Sequence, residues 1–261
     1  PGSGSDALAA RTSAVLDDQG THYVLNGTKQ FIAMGAQAKF MTIFARTDKS
    51  IPWTEGTSGF MLFPPKEGFE VGRLHDKVGL RLYPQHELIF RDCEFSEEDR
   101  QGEENQIHAS RRNISNITNI GTLEATSTAL GIARRAYELA LNYSKERVQG
   151  GKPIIEHLTI RHMLAEMIMN IEVAEQFMWR ICWGVDNDDS FNSRFTRSGK
   201  VFSDKVGLKT IELGLDILGG MGIMRDSPSE KIVRDLLTFL HGDGTDSATL
   251  LEAANTLDNP A

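Results

Sequence analysis

Three short glycine-rich segments hold the residues with the clearest chemical potential: Gly2-Ser3-Gly4-Ser5-Asp6, Gly219-Gly220-Met221-Gly222 and Gly242-Asp243-Gly244-Thr245. Glycine lets the backbone approach a phosphate closely and a neighbouring hydroxyl adds a donor, so each segment could cradle a dinucleotide. The third segment also carries a carboxylate, Asp243, which gains basicity if an apolar cavity desolvates it. The same segments read equally as turns and helix stops, and Asp243 between two glycines reads locally as a turn residue or a helix cap. No P-loop, Rossmann glycine fingerprint, nucleophile elbow or zinc-ligand motif occurs. His157 and His162 do not share a helical face, and Cys93 and Cys182 stand far apart, so no metal site is expected.

The elements that must position these residues divide the chain by period. Up to about residue 98, short apolar runs at 21–25, 40–45, 59–63 and 87–90 are separated by turn residues such as Asn26-Gly27. The run at 40–45 is apolar without strict alternation, as expected for a strand covered on both faces. From residue 113 the spacing becomes helical. Residues 113–147 predict one long helix or two, 154–185 a bundle helix, 195–218 a helix stopped by Gly219-Gly220, and 227–240 a shorter one stopped by Gly242. A last turn or two is expected over 246–256. The methionines along 163–178 fall at helical spacing and read as core packing. The expected fold is α+β: a middle β domain of antiparallel strands, barrel-like, over 1–98, followed by an antiparallel helical bundle over 99–261. The charged run at 97–104 reads as a solvated linker without anchors.

Composition sets the outer limits. The chain has 261 residues, 40% hydrophobic and 25% charged, the profile of a globular protein with a real core. Its 36 acidic against 28 basic residues give a net charge of -8, which opposes tight binding to nucleic acid or an anionic membrane. No run reaches the roughly 18 apolar residues of a membrane span. Neither partner is therefore expected, and a reducing compartment fits best, the cytoplasm or, in a eukaryote, the mitochondrial matrix. The opening residues read as the middle of a loop, so the chain is expected to be truncated at its start.

Across nearly the whole chain, in order and with matched spacing, the motifs resemble those of the acyl-CoA dehydrogenase family. The opening Pro1-Gly2-Ser3-Gly4-Ser5-Asp6 resembles the end of the family's segment against the flavin and the CoA thioester, with Ser5 as the contact. Asn26-Gly27-Thr28-Lys29-Gln30-Phe31-Ile32-Ala33 resembles its flavin-flanking strand, which implies cofactor contacts at Phe31, Ile32 and Ala33. Asp76-Lys77-Val78-Gly79-Leu80-Arg81 and Glu87-Leu88-Ile89-Phe90-Arg91-Asp92 resemble the motifs that close the β domain. Arg147 in Arg147-Val148-Gln149-Gly150-Gly151-Lys152-Pro153-Ile154, and Gly219 and Gly220 after Leu218, resemble contacts to an FAD held mainly by a neighbouring subunit. Arg234-Asp235 followed by Gly242-Asp243-Gly244-Thr245 places Asp243 on the family's glutamate base, with Thr245 and Ser247 as further cofactor contacts and Gly242 and Gly244 beside the substrate.

The resemblance implies α,β-dehydrogenation of an acyl-CoA thioester with FAD, a homotetramer or homodimer, an N-terminal helical domain outside this chain, and electron-transferring flavoprotein as acceptor. Several positions depart from the pattern: Ala33 lacks a hydroxyl, Gly150 replaces a phenylalanine, Leu158 and Asp216 replace glutamines, and Gly242 replaces a tyrosine. An aspartate base and a glycine beside it resemble the branch acting on alicyclic acyl-CoA esters, which implies room for a cyclic or branched acyl group. Two alternatives stay open: a non-catalytic relative with a decayed flavin site, and a nitroalkane oxidase-like flavoenzyme.

Overall fold

The computed structural model describes residues 3–4, 9–51, 55–101, 110–188, 191–242 and 244–255, with the side chains of 110–119 excepted. The chain divides into two compact units, one formed by Pro1–Lys77 with Arg81–Ile117 and the other by Val78–Leu80 with Thr118–Ala261. The candidate residues Ser5 and Asp243 lie outside the described residues.

The first unit is built on a seven-stranded sheet. Its strands are β1 (Ser13–Leu16), β2 (His22–Ala33), β3 (Met41–Arg46), β4 (Thr57–Leu62), β5 (Phe69–Leu74), β6 (Gln85–Ser96) and β7 (Arg100–Gln101), in the order β5-β6-β2-β1-β3-β4-β7. Pairing is antiparallel except between β1 and β3, where Ser13 lies parallel to Arg46. Alternate side chains turn inward, so Ala14, Tyr23, Leu25, Ile43, Ala45, Phe60, Leu62, Leu88, Phe90, Cys93 and Phe95 form one buried core. Against the expectation of a strand covered on both faces, β3 alternates: Ile43 and Ala45 are buried while Thr42 and Phe44 are only partly so.

Two other expectations change here. Asn26-Gly27 is not a turn, because β2 runs through it with a bulge between Leu25 and Gly27. Gly27 has φ 144°, and a Cβ there would stand 2.8 Å from the Thr12 Cα, so the strand continues only because no side chain intervenes. The charged run at 97–104 does have an anchor. Ser96 and Asp99 close a capping box, Arg100 pairs with Phe60 on β4, and its buried guanidinium is held by Glu97 through Nε at 2.8 Å.

The β1–β2 turn depends on one carboxylate. Asp17 accepts backbone N–H bonds from Thr21 at 2.6 Å and His22 at 3.0 Å. These donors, that of His22 above all, hold its carboxyl down to about 2, against an ordinary 3.8.

The second unit contains α1 (Ser110–Glu146, within this unit from Thr118), α2 (Leu158–Asn187), α3 (Arg194–Leu218), α4 (Pro228–Phe239) and α5 (Asp246–Ala254). A ridge of alanines on α1, at 125, 129, 133, 136 and 140, lets neighbouring helices approach closely. Leu130 and Ala133 share a cluster with Ile171, Ala174 and Val206, whereas Ala140 shares one with Leu164, Met167, Leu213 and Ile217. Numbers rise along α1 and α3 as they fall along α2, so α2 lies antiparallel to both. Ser227 caps α4 with Pro228 at its first position, and Gly219, with φ 56°, ends α3. A two-residue hairpin unanticipated among the helices pairs β8 (Val148–Gln149) with β9 (Lys152–Pro153). Its turn residues Gly150 and Gly151 have φ 61° and 79°, the left-handed pair that a tight hairpin requires.

The short piece Val78–Leu80 belongs to this unit because it docks on α4. The Leu80 N–H donates to Asp235 Oδ1 at 2.7 Å, and Arg234 Nη1 donates to the Val78 carbonyl oxygen at 2.8 Å. A Cβ on Gly79 would stand 2.2 Å from the Arg234 carbonyl oxygen, so only glycine fits. Among the described residues no helix is long and apolar enough to cross a membrane.

Two outcomes follow from these contacts. Gly79→Ala should lower stability by about 1–3 kcal/mol through overpacking, read from the denaturant midpoint; an unchanged midpoint would show that the piece does not dock. Because the folded-state pKa of Asp17 is depressed, its stabilisation is present above about pH 4 and fades as pH falls towards 2. The stability gap between the wild type and Asp17→Asn should therefore narrow over that range, and a gap independent of pH would contradict the assignment.

Candidate functional site

In the helical unit, Arg147 and the distant pair Gly219-Gly220 line one groove of about 660 Å³. Arg147 is placed by two backbone bonds: its N–H donates to the Tyr143 carbonyl at 2.9 Å, continuing the end of α1, and its carbonyl accepts from Ile154 N–H at 2.8 Å, closing the β8–β9 hairpin. His157 Nε2 lies 3.0 Å from the Gln149 carbonyl oxygen and braces the same hairpin. Across the groove, α3 breaks at Gly219 and turns through a 3-10 segment, Gly219–Ile223. A Cβ on either Gly219 or Gly220 would meet nothing within 4 Å, so that wall is bare backbone facing open space.

The chemistry of this groove is that of an anion site. Arg147 is exposed and, among the described residues, forms no ion pair, so its guanidinium keeps its donors free. A planar fork of N–H donors opposite glycine backbone suits a phosphate or pyrophosphate. The residues present therefore fit the phosphate end of a dinucleotide such as FAD. The departures lie around it without closing it: Gly150 forms the hairpin turn, Leu158 is 82% exposed at the start of α2, and Asp216 is exposed on α3.

The segment expected to carry the base lies between α4 and α5. Gly242 N–H donates to the Phe239 carbonyl at 2.8 Å, and a Cβ there would come within 3.2 Å of that oxygen, so glycine also serves a close turn. Gly244 has φ 96°, a conformation that disfavours any side chain. Thr245 is the N-cap of α5, its hydroxyl accepting from Ala248 N–H at 3.4 Å, and Ser247 is exposed in the first turn.

In the sheet unit, Phe31 and Ile32 line a second cavity of about 340 Å³ together with Arg11, Thr12 and Lys29. Phe31 is 64% exposed, has φ 58°, and sits at the irregularity of β2 between Lys29 and Ile32, with its ring 4.5 Å from that of His75. A left-handed aromatic in a strand is costly, and such strain collects at functional positions. Ala33 pairs with Gln85 and does not line the cavity. Lys29 donates to the Phe44 carbonyl at 2.6 Å, and its burial pulls the ammonium down to about 8.

Sequence reading gave no role to Asp235, which receives the Leu80 N–H, or to Lys200, which lies fully buried on α3. The signal for the second was present: Lys200 and Asp204 are one helical turn apart on a face otherwise made of small and apolar residues.

Comparison with known proteins follows the same division. Residues 1–93 match the acyl-CoA dehydrogenase middle domain, and residues 113–257 match the acyl-CoA dehydrogenase C-terminal domain. The chain is 32% identical over 257 residues to the mitochondrial short-chain specific acyl-CoA dehydrogenase of Rattus norvegicus, covering 98% of this chain and 61% of that protein. It is 31% identical over 261 residues to the cyclohex-1-ene-1-carbonyl-CoA dehydrogenase of Syntrophus aciditrophicus (strain SB), covering 100% of this chain and 62% of the relative. The butyryl-CoA dehydrogenase structure from Megasphaera elsdenii superposes with a TM-score of 0.90 at 31% identity, over 99% of this chain and 66% of that one. The chain thus spans somewhat over 60% of the length of the curated relatives it matches. With both domain models matched in order and the same fold in the solved relative, the chain belongs to the acyl-CoA dehydrogenase family.

Proposed function

We propose that the protein carrying this chain is an FAD-dependent acyl-CoA dehydrogenase that removes hydrogen across the α,β bond of an acyl-CoA thioester. The observation that carries this is the groove in which an unpaired Arg147 faces the bare backbone of Gly219 and Gly220. That arrangement supports binding of the pyrophosphate of an FAD held mainly by a neighbouring subunit; Phe31, Ile32, Ala33, Thr245 and Ser247 are proposed as further cofactor contacts. Bound flavin supplies the hydride acceptor. The chain's own task is to hold the thioester, withdraw the α-proton and exclude water.

Asp243 is the residue proposed for proton withdrawal, and Ser5, Gly242 and Gly244 are each proposed as acyl-CoA contacts. A thioester α-proton is weakly acidic, so the carboxylate gains its basicity from desolvation and the thioester carbonyl needs hydrogen-bond donors. Aspartate is one methylene shorter than the family's glutamate, and a misplacement on the order of 1 Å costs roughly a hundredfold in rate. The backbone of the neighbours of Asp243 in sequence must therefore be held closely. The glycine at 242 and the similarity to the cyclohexene-carbonyl-CoA dehydrogenase support a cyclic or branched acyl group. A homotetramer or homodimer with shared FAD sites, and electron-transferring flavoprotein as acceptor in the cytoplasm or mitochondrial matrix, complete the proposal.

A non-catalytic flavoprotein or subunit is the second reading, favoured by Ala33, which brings no hydroxyl to β2, and by the exposed Leu158 and Asp216. Anaerobic mixing of the flavin-loaded protein with acyl-CoAs separates the two. The enzyme reading expects flavin bleaching, faster with cyclic or branched thioesters than with butyryl- or octanoyl-CoA, and slowed roughly 10²–10⁴-fold by Asp243→Asn. A protein that cannot be loaded with flavin ends the enzyme reading, and a preference for straight chains ends the substrate assignment.

A further inference from the structure

Helix α3 buries a complete ion pair. The side chains of Lys200 and Asp204 are each 0% exposed, and Lys200 Nζ lies 2.8 Å from Asp204 Oδ2. An ammonium so buried needs further oxygen partners, and it finds them on the chain between α4 and α5. Nζ lies 3.0 Å from Asp246 Oδ1 and donates to the carbonyl oxygens of Gly244 at 3.0 Å and Leu240 at 3.4 Å. One nitrogen thus meets the chain at Leu240, before Gly242, and again at Gly244 and Asp246. Burial pushes the Asp204 carboxyl above the ordinary range; the facing Lys200 opposes that shift and the nearby Asp246 adds to it.

Net stability alone is a weak reason for this arrangement. A buried salt bridge adds little net stability compared with an apolar pair of similar volume. The two helices are already joined at the surface, where Arg197 on α3 meets Glu252 on α5 at 2.7 Å. What Lys200 adds is a donor to the backbone next to position 243. Gly244, at φ 96°, has no side chain of its own with which to fix that carbonyl.

We infer that Lys200 is a positioning residue, its ammonium holding the carbonyl of Gly244, the residue that follows Asp243 in the sequence. The inference rests on the reading of Asp243 as the base. Asp204 faces the ammonium from one helical turn along α3, and Asp246 meets it from the first turn of α5.

Lys200→Met alone strands a buried carboxylate and can unfold the protein. The double variant Lys200→Met/Asp204→Leu avoids this by exchanging the ion pair for apolar side chains while still removing the donor. In the flavin-loaded double variant, amide exchange over residues 244–249 should quicken by at least about tenfold. Bleaching at saturating acyl-CoA should slow by about tenfold to a hundredfold with half-saturation little changed, as expected for a displaced base. Exchange at the wild-type rate overturns the clamp, and faster exchange with unchanged bleaching overturns the positioning role. Asp243→Asn, measured alongside, tests the base separately. If it bleaches like the wild type, the base reading falls, while the exchange comparison still decides whether Lys200 holds the turn.

Discussion

A charge with no access to water must be met by opposite charge and oriented dipoles, and in the helical unit that requirement centres on the Lys200 ammonium. Its partners come from α3 itself, from the residue after α4 and from the start of α5. Removing one member of such a set costs about 3–5 kcal/mol, so the segments it joins move together or not at all. A turn built on Gly242 and Gly244 would otherwise be among the freest parts of the chain. The buried ammonium holds the Gly244 carbonyl against that freedom.

The same helix serves the groove at its other end. Nineteen positions separate Lys200 from Gly219, roughly 28 Å along an α-helix. At that end α3 stops on a left-handed glycine and exposes backbone to the groove that Arg147 enters from the end of α1. The alanine ridge on α1 allows the close packing that keeps α3 in register with α1 and α2. Packing of small residues thus sets the groove, and a single buried charge ties Leu240, Gly244 and Asp246 to α3.

Much of this was legible because period and punctuation are local properties. The helices of the bundle, their stops at Gly219 and Gly242, and the association of Arg147 with the glycine pair follow from spacing and from matched motifs. Other features depend on distant atoms. Nothing beside Asn26-Gly27 reveals that Thr12 lies 2.8 Å from where a Cβ would project, so a turn signal became a bulge inside a strand. Arg100 became an anchor because β4 offers it a ladder position, and Gly79 is required because α4 presents the Arg234 carbonyl. The left-handed backbone of Phe31 likewise has no sequence signature. Lys200 and Asp204 were readable as a helical pair, but their burial was not, and burial is what gives them a role.

The central claim is that the groove between Arg147 and Gly219-Gly220 holds the FAD pyrophosphate. Its most direct test is to titrate FAD into flavin-stripped wild-type protein and into Arg147→Gln, with folding followed independently. Loss of a charge-assisted hydrogen bond to phosphate should weaken binding by roughly tenfold to a hundredfold without altering the fold. Equal affinity in the two proteins would place the flavin phosphates elsewhere and contradict the account.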